Sequence, residues 1–208
     1  MNFDKYRNNG WGISIKGFKY LFEIISQHEK DSLSILEFGS GISTQFLVDV
    51  AETGIKKIRI DSYDNDVSYS FRDADKYDFL NLKITNLLEC VDKDFSSMML
   101  NKKYDESCMK LRTGPPTTRQ KNCFYEIKQE DLSKDYDLVI LDGPNGNGRS
   151  FSFLHLKDLL KEDCYVFVDD VQHYPFEKIL RHFFNVTSLD DQYPSADKQF
   201  KIFKIKSR

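Results

Sequence analysis

Short apolar runs alternate with amphipathic stretches along this chain. The runs are Ser34–Phe38, Lys57–Tyr63, Leu82–Thr85, Tyr136–Leu141 and Cys164–Val168. Several are apolar through most of their length, the pattern of strands covered on both faces in a parallel sheet. Between them the period lengthens. Phe18, Leu21, Phe22 and Ile25 share one helical face ahead of the first run. Phe46, Leu47, Val50 and Ala51 do so behind it, and Gly54 supplies a stop. Phe153, Leu156, Leu159 and Leu160 form a third stripe, and Phe176, Ile179, Leu180 and Phe183 a fourth. The chain's end differs: Asn185–Leu189 and Gln199–Ile205 flank the turn-rich Asp190–Pro194 and predict an antiparallel pair. The predicted class is α/β, a three-layer, open, mostly parallel seven-stranded sheet with helices on both faces and an antiparallel C-terminal strand pair.

The stretch from about Asp92 to Lys134 is too long for a plain crossover and contains Thr113-Gly-Pro-Pro-Thr117. We read residues 1–208 as one domain carrying this insertion, which is either a substrate-recognition lid or a surface excursion. Its Lys110, Arg112, Arg119 and Lys121 are either an anionic-substrate patch or ordinary solvated charges.

Composition narrows the function classes. With 208 residues, 40% hydrophobic, 17 Phe and 11 Tyr, the chain has the material for a core and is not a disordered polymer. Thirty Lys and Arg against 33 Asp and Glu give a net charge of -3, which argues against a nucleic-acid partner. No run approaches the ~20 apolar residues of a membrane span. The polar N-terminus has no signal-peptide pattern. Cysteines at 90, 108, 123 and 164 form no Cys-x-x-Cys pair, so reduced thiols and a cytoplasmic location are expected.

Chemistry concentrates where the first strand turns into the first crossover helix, at Leu36-Glu-Phe-Gly-Ser-Gly-Ile-Ser-Thr44. Gly39 and Gly41 permit a tight turn and close approach of a ligand to the backbone, and free amides at the following helix start suit an anionic or polar group. Thr44 stands where a dinucleotide fingerprint has its third glycine. Asp64, 25 residues beyond Gly39, ends the second strand and is placed to accept from a ribose diol.

The glycine loop with Glu37 before it and Ser62-Tyr-Asp64-Asn65-Asp after the second strand resembles the cofactor half of the class I S-adenosylmethionine-dependent methyltransferases. The resemblance extends to Asp137–Pro144 and Val166–Val171 as that fold's fourth and fifth strands, and to the closing pair as its sixth and seventh. It implies S-adenosylmethionine bound by Glu37, Gly39, Ser40, Gly41, Ser43, Thr44, Asp64, Asn65 and Asp142. It also implies in-line methyl transfer to a small-molecule or sugar/glycan acceptor, with O-methylation expected.

Ligands of open α/β sheets lie beyond the carboxyl ends of the strands, where Asp142, Asp169 and Asp170 fall. Three converging carboxylates repel unless a cation sits among them, and a divalent Mg or Mn is one candidate. The arrangement is similar to that of metal-dependent O-methyltransferases, which carry Asp-Asn where this chain has Asp169-Asp170. The alternative is that Asp142 orients a ligand while Asp169 or Asp170 caps a helix. Catalytic candidates are Asp142, Asp169 and His173. The loop Asp142-Gly-Pro-Asn-Gly-Asn-Gly-Arg149 reads as one hugging a ligand, with Asn145 and Arg149 toward the substrate. Tyr6, Trp11 and Phe18 either roof the pocket or, more naturally for Phe18, pack in the core. His28, His155 and His182 read as structural or exposed. Lys201, Lys204, Lys206 and Arg208 read as charges guarding a strand against unwanted pairing. Two rival functions remain: an NAD-type Rossmann oxidoreductase and an inactive binding module on the methyltransferase fold.

Overall fold

The computed structural model describes residues 1–7, 12–113, 120–195 and 199–207. In chain order the main elements are α1 (Ile15–Gln27), β1 (Ser32–Phe38), α2 (Ile42–Glu52), β2 (Lys57–Asp64), β3 (Leu80–Ile84), β4 (Leu87–Glu89), α3 (Asp92–Asn101), β5 (Lys110–Leu111), β6 (Cys123–Tyr125), β7 (Leu138–Leu141), α4 (Phe151–Leu156), β8 (Tyr165–Asp169), α5 (Phe176–Phe183), β9 (Val186–Ser188) and β10 (Phe200–Ile205). Seven strands form one sheet in the order β3-β2-β1-β7-β8-β10-β9. All neighbours from β3 to β8 are parallel, and β10 runs antiparallel to both β8 and β9. The architecture expected from the hydrophobic pattern is therefore present.

Period-two alternation builds two cores. Ile35 and Ile140 face α1 and α2, packing with Phe18, Leu21, Phe46 and Leu47. Leu36, Phe38, Val139 and Leu141 point to the other face, against Phe153, Leu154, Leu180 and Phe183 of α4 and α5. Burial on both faces is why these strands read as near-continuous apolar runs. Ser14 caps α1, its hydroxyl accepting from the Gly17 N–H at 3.2 Å. Tyr6 and Phe18 pack on Phe46 with ring centroids 5.3 and 4.9 Å away, so both are core and not a roof; Trp11 lies outside the described residues.

The insertion is the main departure from the sequence pattern. Its strands join β4 in a separate three-stranded antiparallel sheet of order β5-β4-β6, and α3 packs Met98 and Met99 into the α4/α5-side core. Cys123, Phe124 and Tyr125 are 0, 1 and 2% exposed, so β6 is a structural layer and not a surface excursion. The glycine-rich loop after β7 accommodates it. A Cβ at Gly146 would overlap the Gln120 carbonyl oxygen, and one at Gly148 would overlap that of Cys123. Asn122 and Asn147 complete the seam, with the Asn122 N–H donating to Asn147 Oδ1 at 2.8 Å and Asn147 Nδ2 to Asn122 Oδ1 at 2.7 Å. These glycines, expected to hug a ligand, hug the backbone of β6 and the residues just before it.

The insertion's charges are partly neutralised: Arg112 pairs with Glu89 at 3.0 Å and Lys121 with Asp92 at 2.6 Å, while Arg119 and residues 114–117 lie outside the described residues. The lysines of β10 do not guard a free edge, because β10 lies between β8 and β9. Lys201 pairs with Glu177 and Asp190, and Lys204 with Asp163; Arg208 is outside the described residues. All four cysteines are unpaired thiols. Among the described residues no helix is long and apolar enough to cross a membrane.

Candidate active site

Four chain segments meet at the carboxyl ends of β1, β2, β7 and β8. The first is the turn from β1 into α2. Gly39 and Gly41 have φ of +99° and +145°, values that favour glycine. The turn is anchored by the Gly39 N–H donating to Tyr63 O at 2.9 Å. Gly39 also lets the β1 and β7 ends touch, since a Cβ there would come within 2.6 Å of the Gly143 nitrogen.

Thr44, in the third-glycine position, ties the turn together. Its hydroxyl donates to Glu37 Oε2 at 2.6 Å and accepts from the Gly41 N–H at 3.1 Å, with Ser40 Oγ 2.8 Å away. Ser62 Oγ donates to the same Glu37 oxygen at 2.5 Å, because the β1–β2 register sets Glu37 opposite Ser62. Ser43 is buried, its hydroxyl donating to Gly39 O at 3.4 Å. Glu37 is fully enclosed, and burial pushes its carboxyl up to about 7 against the opposing hydroxyl hydrogen bonds. Its second oxygen, Oε1, is buried without a hydrogen-bond partner. A buried acceptor left open costs about 1–3 kcal/mol, more when charged, which marks a place for a ligand donor.

Asp64 closes the turn from the side. Its Oδ2 accepts from the Ser40 N–H at 2.7 Å, while Oδ1 accepts from the N–H groups of Asn65 and Asp66 at 2.7 and 2.8 Å. Burial still holds its carboxyl above the ordinary carboxylate range. A carboxylate oxygen has two lone-pair directions, so Oδ2 keeps one for a ligand hydroxyl. The segment after β2 then crosses the glycine turn: the Phe71 N–H donates to Ser40 Oγ at 3.2 Å. It leaves Val67, Tyr69 and, at the start of α2, Ile42 exposed as apolar groups near the turn.

At the ends of β7 and β8 the carboxylates converge as expected, but the cation among them is a side chain. Arg149 is 2% exposed and donates to the carbonyls of Pro144, Leu141, Asp169 and Asp142, and to Asp170 Oδ2 at 3.3 Å. Its guanidinium also lies over the Phe176 ring, 5.5 Å from the centroid. Arg149 thus clamps the two strand ends and does not extend toward an acceptor. Asp142 and Asp169 are hydrogen-bonded to each other, and burial together with the neighbouring carboxylates raises Asp169 well above the usual range. Asp169 therefore holds the shared proton and donates to Asp142, whose own carboxyl is raised by burial and held down by Arg149. Among the described residues no group of three His, Cys, Asp or Glu side chains is arranged to hold a metal ion. The carboxylates of Asp142, Asp169 and Asp170, the expected Mg or Mn ligands, are therefore not arranged as a metal-holding group among the described residues, and the cation that lies against them is the Arg149 guanidinium.

The remaining candidates lie at the rim. Asn145 is exposed at the tip of the glycine-rich loop, and Asn65 is half-buried beside Asp64. His173 is exposed in the turn after β8, its backbone N–H donating to Asp170 O at 3.0 Å. Sequence reasoning missed Ser62, whose signal was a polar residue inside an apolar strand run. It also missed Tyr125, whose hydroxyl a Cβ at Gly143 would overlap.

No family model matches the chain, and no curated protein matches its sequence. Solved structures do. A precorrin-6y C5,15-methyltransferase from Geobacter metallireducens is 14% identical with a TM-score of 0.54, over 98% of this chain and 95% of that one. CmcI with Mg and SAM is 13% identical with a TM-score of 0.54, over 100% of this chain and 85% of that one. An SAH-bound methyltransferase from Podospora anserina, PaMTH1, is 14% identical with a TM-score of 0.51, over 94% and 80%. With its strand order, its reversed last pair and these likenesses, the chain has the fold of the class I S-adenosylmethionine-dependent methyltransferases.

Proposed function

We propose that the protein is an S-adenosylmethionine-dependent methyltransferase acting on the hydroxyl of a small-molecule or sugar acceptor. The observation that carries this reading is the buried carboxylate of Glu37, with one oxygen unpartnered at the end of β1 beside the glycine turn. That oxygen suits the ammonium of an amino-acid ligand, and Asp64 Oδ2, one turn away, suits a ribose hydroxyl. An adenosyl amino acid has both groups, and the fold is shared with structures solved with SAM or SAH bound.

Bound S-adenosylmethionine would supply an electrophilic methyl group. Glu37, Gly39, Ser40, Gly41, Ser43, Thr44, Asp64 and Asn65 would hold it, with Asp142 at the strand end facing the reacting side. The chain's task is then mainly alignment, worth up to ~7–11 kcal/mol when geometry is close. A hydroxyl acceptor also has to lose its proton. Asp142 suits that role: Arg149 and the hydrogen bond from Asp169 favour its ionised form, while burial raises its affinity for a proton. His173, exposed at the rim, is the second candidate base. The donor set does not fit a divalent cation, so no step passes through one.

The NAD reading is weakened by the antiparallel β8-β10-β9 ending, where a Rossmann sheet continues parallel. Thermal shift with S-adenosylmethionine, S-adenosylhomocysteine and NAD, followed by label transfer from methyl-labelled cofactor to an acceptor panel, tests the proposal. Stabilisation by the two adenosyl amino acids and transfer to a hydroxyl compound is expected. Stabilisation by NAD alone overturns it, and binding without transfer favours the binding module.

A further inference from the structure

One buried polar group at the site is unexplained by the fold. Tyr6, Tyr63, Tyr125 and Tyr136 are the tyrosines enclosed to 2% exposure or less. A buried tyrosine hydroxyl normally finds a partner, and three of these do. Tyr6 donates to Asp49 at 2.5 Å, Tyr63 to Asp131 O at 3.4 Å and Tyr136 to Asp61 at 2.9 Å. For Tyr125, burial and neighbouring charges act on the hydroxyl, and no described residue hydrogen-bonds to it.

The position of that hydroxyl is defined by both loops of the site. A Cβ built at Gly143 would overlap the hydroxyl, and that Cβ would also lie 2.7 Å from Gly39 Cα and 2.9 Å from the Gly39 nitrogen. The charged groups acting on it are Asp64, Arg149, Asp142 and Glu37, from the ends of β1, β2 and β7 and the loop that follows β7. The ring is fixed from behind by stacking on Phe38, centroids 5.8 Å apart and planes 19° apart, and by Phe124 at 5.3 Å. Burial keeps the phenol protonated, so what it offers a ligand is a rigid donor. Two groups of opposite sense thus occupy one site: a buried acceptor without a partner, Glu37 Oε1, and a donor, the Tyr125 hydroxyl set against Gly143. A zwitterionic amino-acid moiety is the ligand class that satisfies both.

We propose that Tyr125, supplied by the insertion, is a positioning residue whose hydroxyl donates to the carboxylate of the cofactor's methionine half. This rests on the reading of the site as one for S-adenosylmethionine. It makes the insertion a fixed wall of the cofactor site, because β6 is locked to the β7 loop through Gly146, Gly148 and Asn147.

The test is calorimetric titration of wild type and Tyr125→Phe with S-adenosylhomocysteine and with 5′-methylthioadenosine, which lacks the amino-acid part, together with the thermal midpoint of each ligand-free protein. Loss of a hydrogen bond to a charged group weakens S-adenosylhomocysteine about tenfold or more. Binding of 5′-methylthioadenosine is expected to stay the same, and the ligand-free midpoint not to fall, since the phenol has no protein partner to lose. Equal S-adenosylhomocysteine affinity in the two proteins, equal losses for both ligands, or a variant that is destabilised without ligand overturns the role of Tyr125 and leaves the cofactor assignment standing. Wild type that binds S-adenosylhomocysteine not at all overturns both.

Discussion

Thr44 Oγ1 donates to Glu37 Oε2 across 2.6 Å, joining the first turn of α2 to the end of β1 inside the protein. One hydroxyl thereby replaces the glycine of a dinucleotide fingerprint and stabilises the site's most enclosed carboxylate. Thr44→Val keeps the shape and removes the donor. It also leaves the Gly41 N–H without its acceptor. A loss of about 1–3 kcal/mol is expected, read as a lower urea midpoint at unchanged slope.

Arg149 is a clamp, so its removal should be felt first in stability. Arg149→Met strands four carbonyls and leaves the carboxylates of β7 and β8 without their cation. Breaking a buried charge arrangement costs roughly 3–5 kcal/mol. A variant that unfolds at the wild-type midpoint and only loses acceptor affinity would contradict the clamp.

The seam between the β7 loop and β6 leaves no room for a side chain at Gly148. Gly148→Ala is expected to cost ~1–3 kcal/mol, at the upper end because backbone meets backbone. Thermal denaturation checks this, with Gly54→Ala as the control, since a Cβ at Gly54 has no neighbour within 4 Å and only its φ of +70° to strain.

Proton linkage gives a further test. Glu37 sits near 7 in the folded protein against an ordinary 4.5, so the folded state holds a proton that the unfolded chain has released between those values. Its contribution is complete below pH 4.5 and is lost as pH rises through 7, a span of about 3 kcal/mol. His155 acts in the opposite sense: burial lowers it from 6.5 to about 4, so stability falls as pH drops through that window. Because the two slopes oppose, single variants separate them. The stability of Glu37→Gln relative to wild type should rise from pH 4.5 to 7, and that of His155→Phe should rise as pH falls below 6.5. Denaturation curves parallel to wild type would contradict each.

The parallel strands were legible because burial on both faces leaves a mark in the sequence, as in Ile35 and Leu36 pointing to opposite cores. Glu37, Gly39 and Asp64 were legible because strand ends fix where polar groups emerge. The three-stranded sheet was not. Strands of two or three residues, such as β5 and β6, carry no measurable period, and α3 is largely polar. Arg149 and Gly148 show a second limit. An arginine near acids and a glycine in a loop look the same whether they meet a ligand or the protein's own backbone, and only the fold separates these cases. Tyr125 is one aromatic among many in the sequence, and only the fold sets its hydroxyl against Gly143.

The most direct measurement is isothermal titration of S-adenosylhomocysteine into wild type and Asp64→Asn under identical conditions. Saturable one-site binding to wild type, weakened about tenfold or more when Asp64 Oδ2 can no longer serve as a charged acceptor, is the expected result. No binding to wild type, or the same affinity in both proteins, would contradict the assignment of Glu37, Asp64 and the glycine turn between them to an adenosyl amino acid.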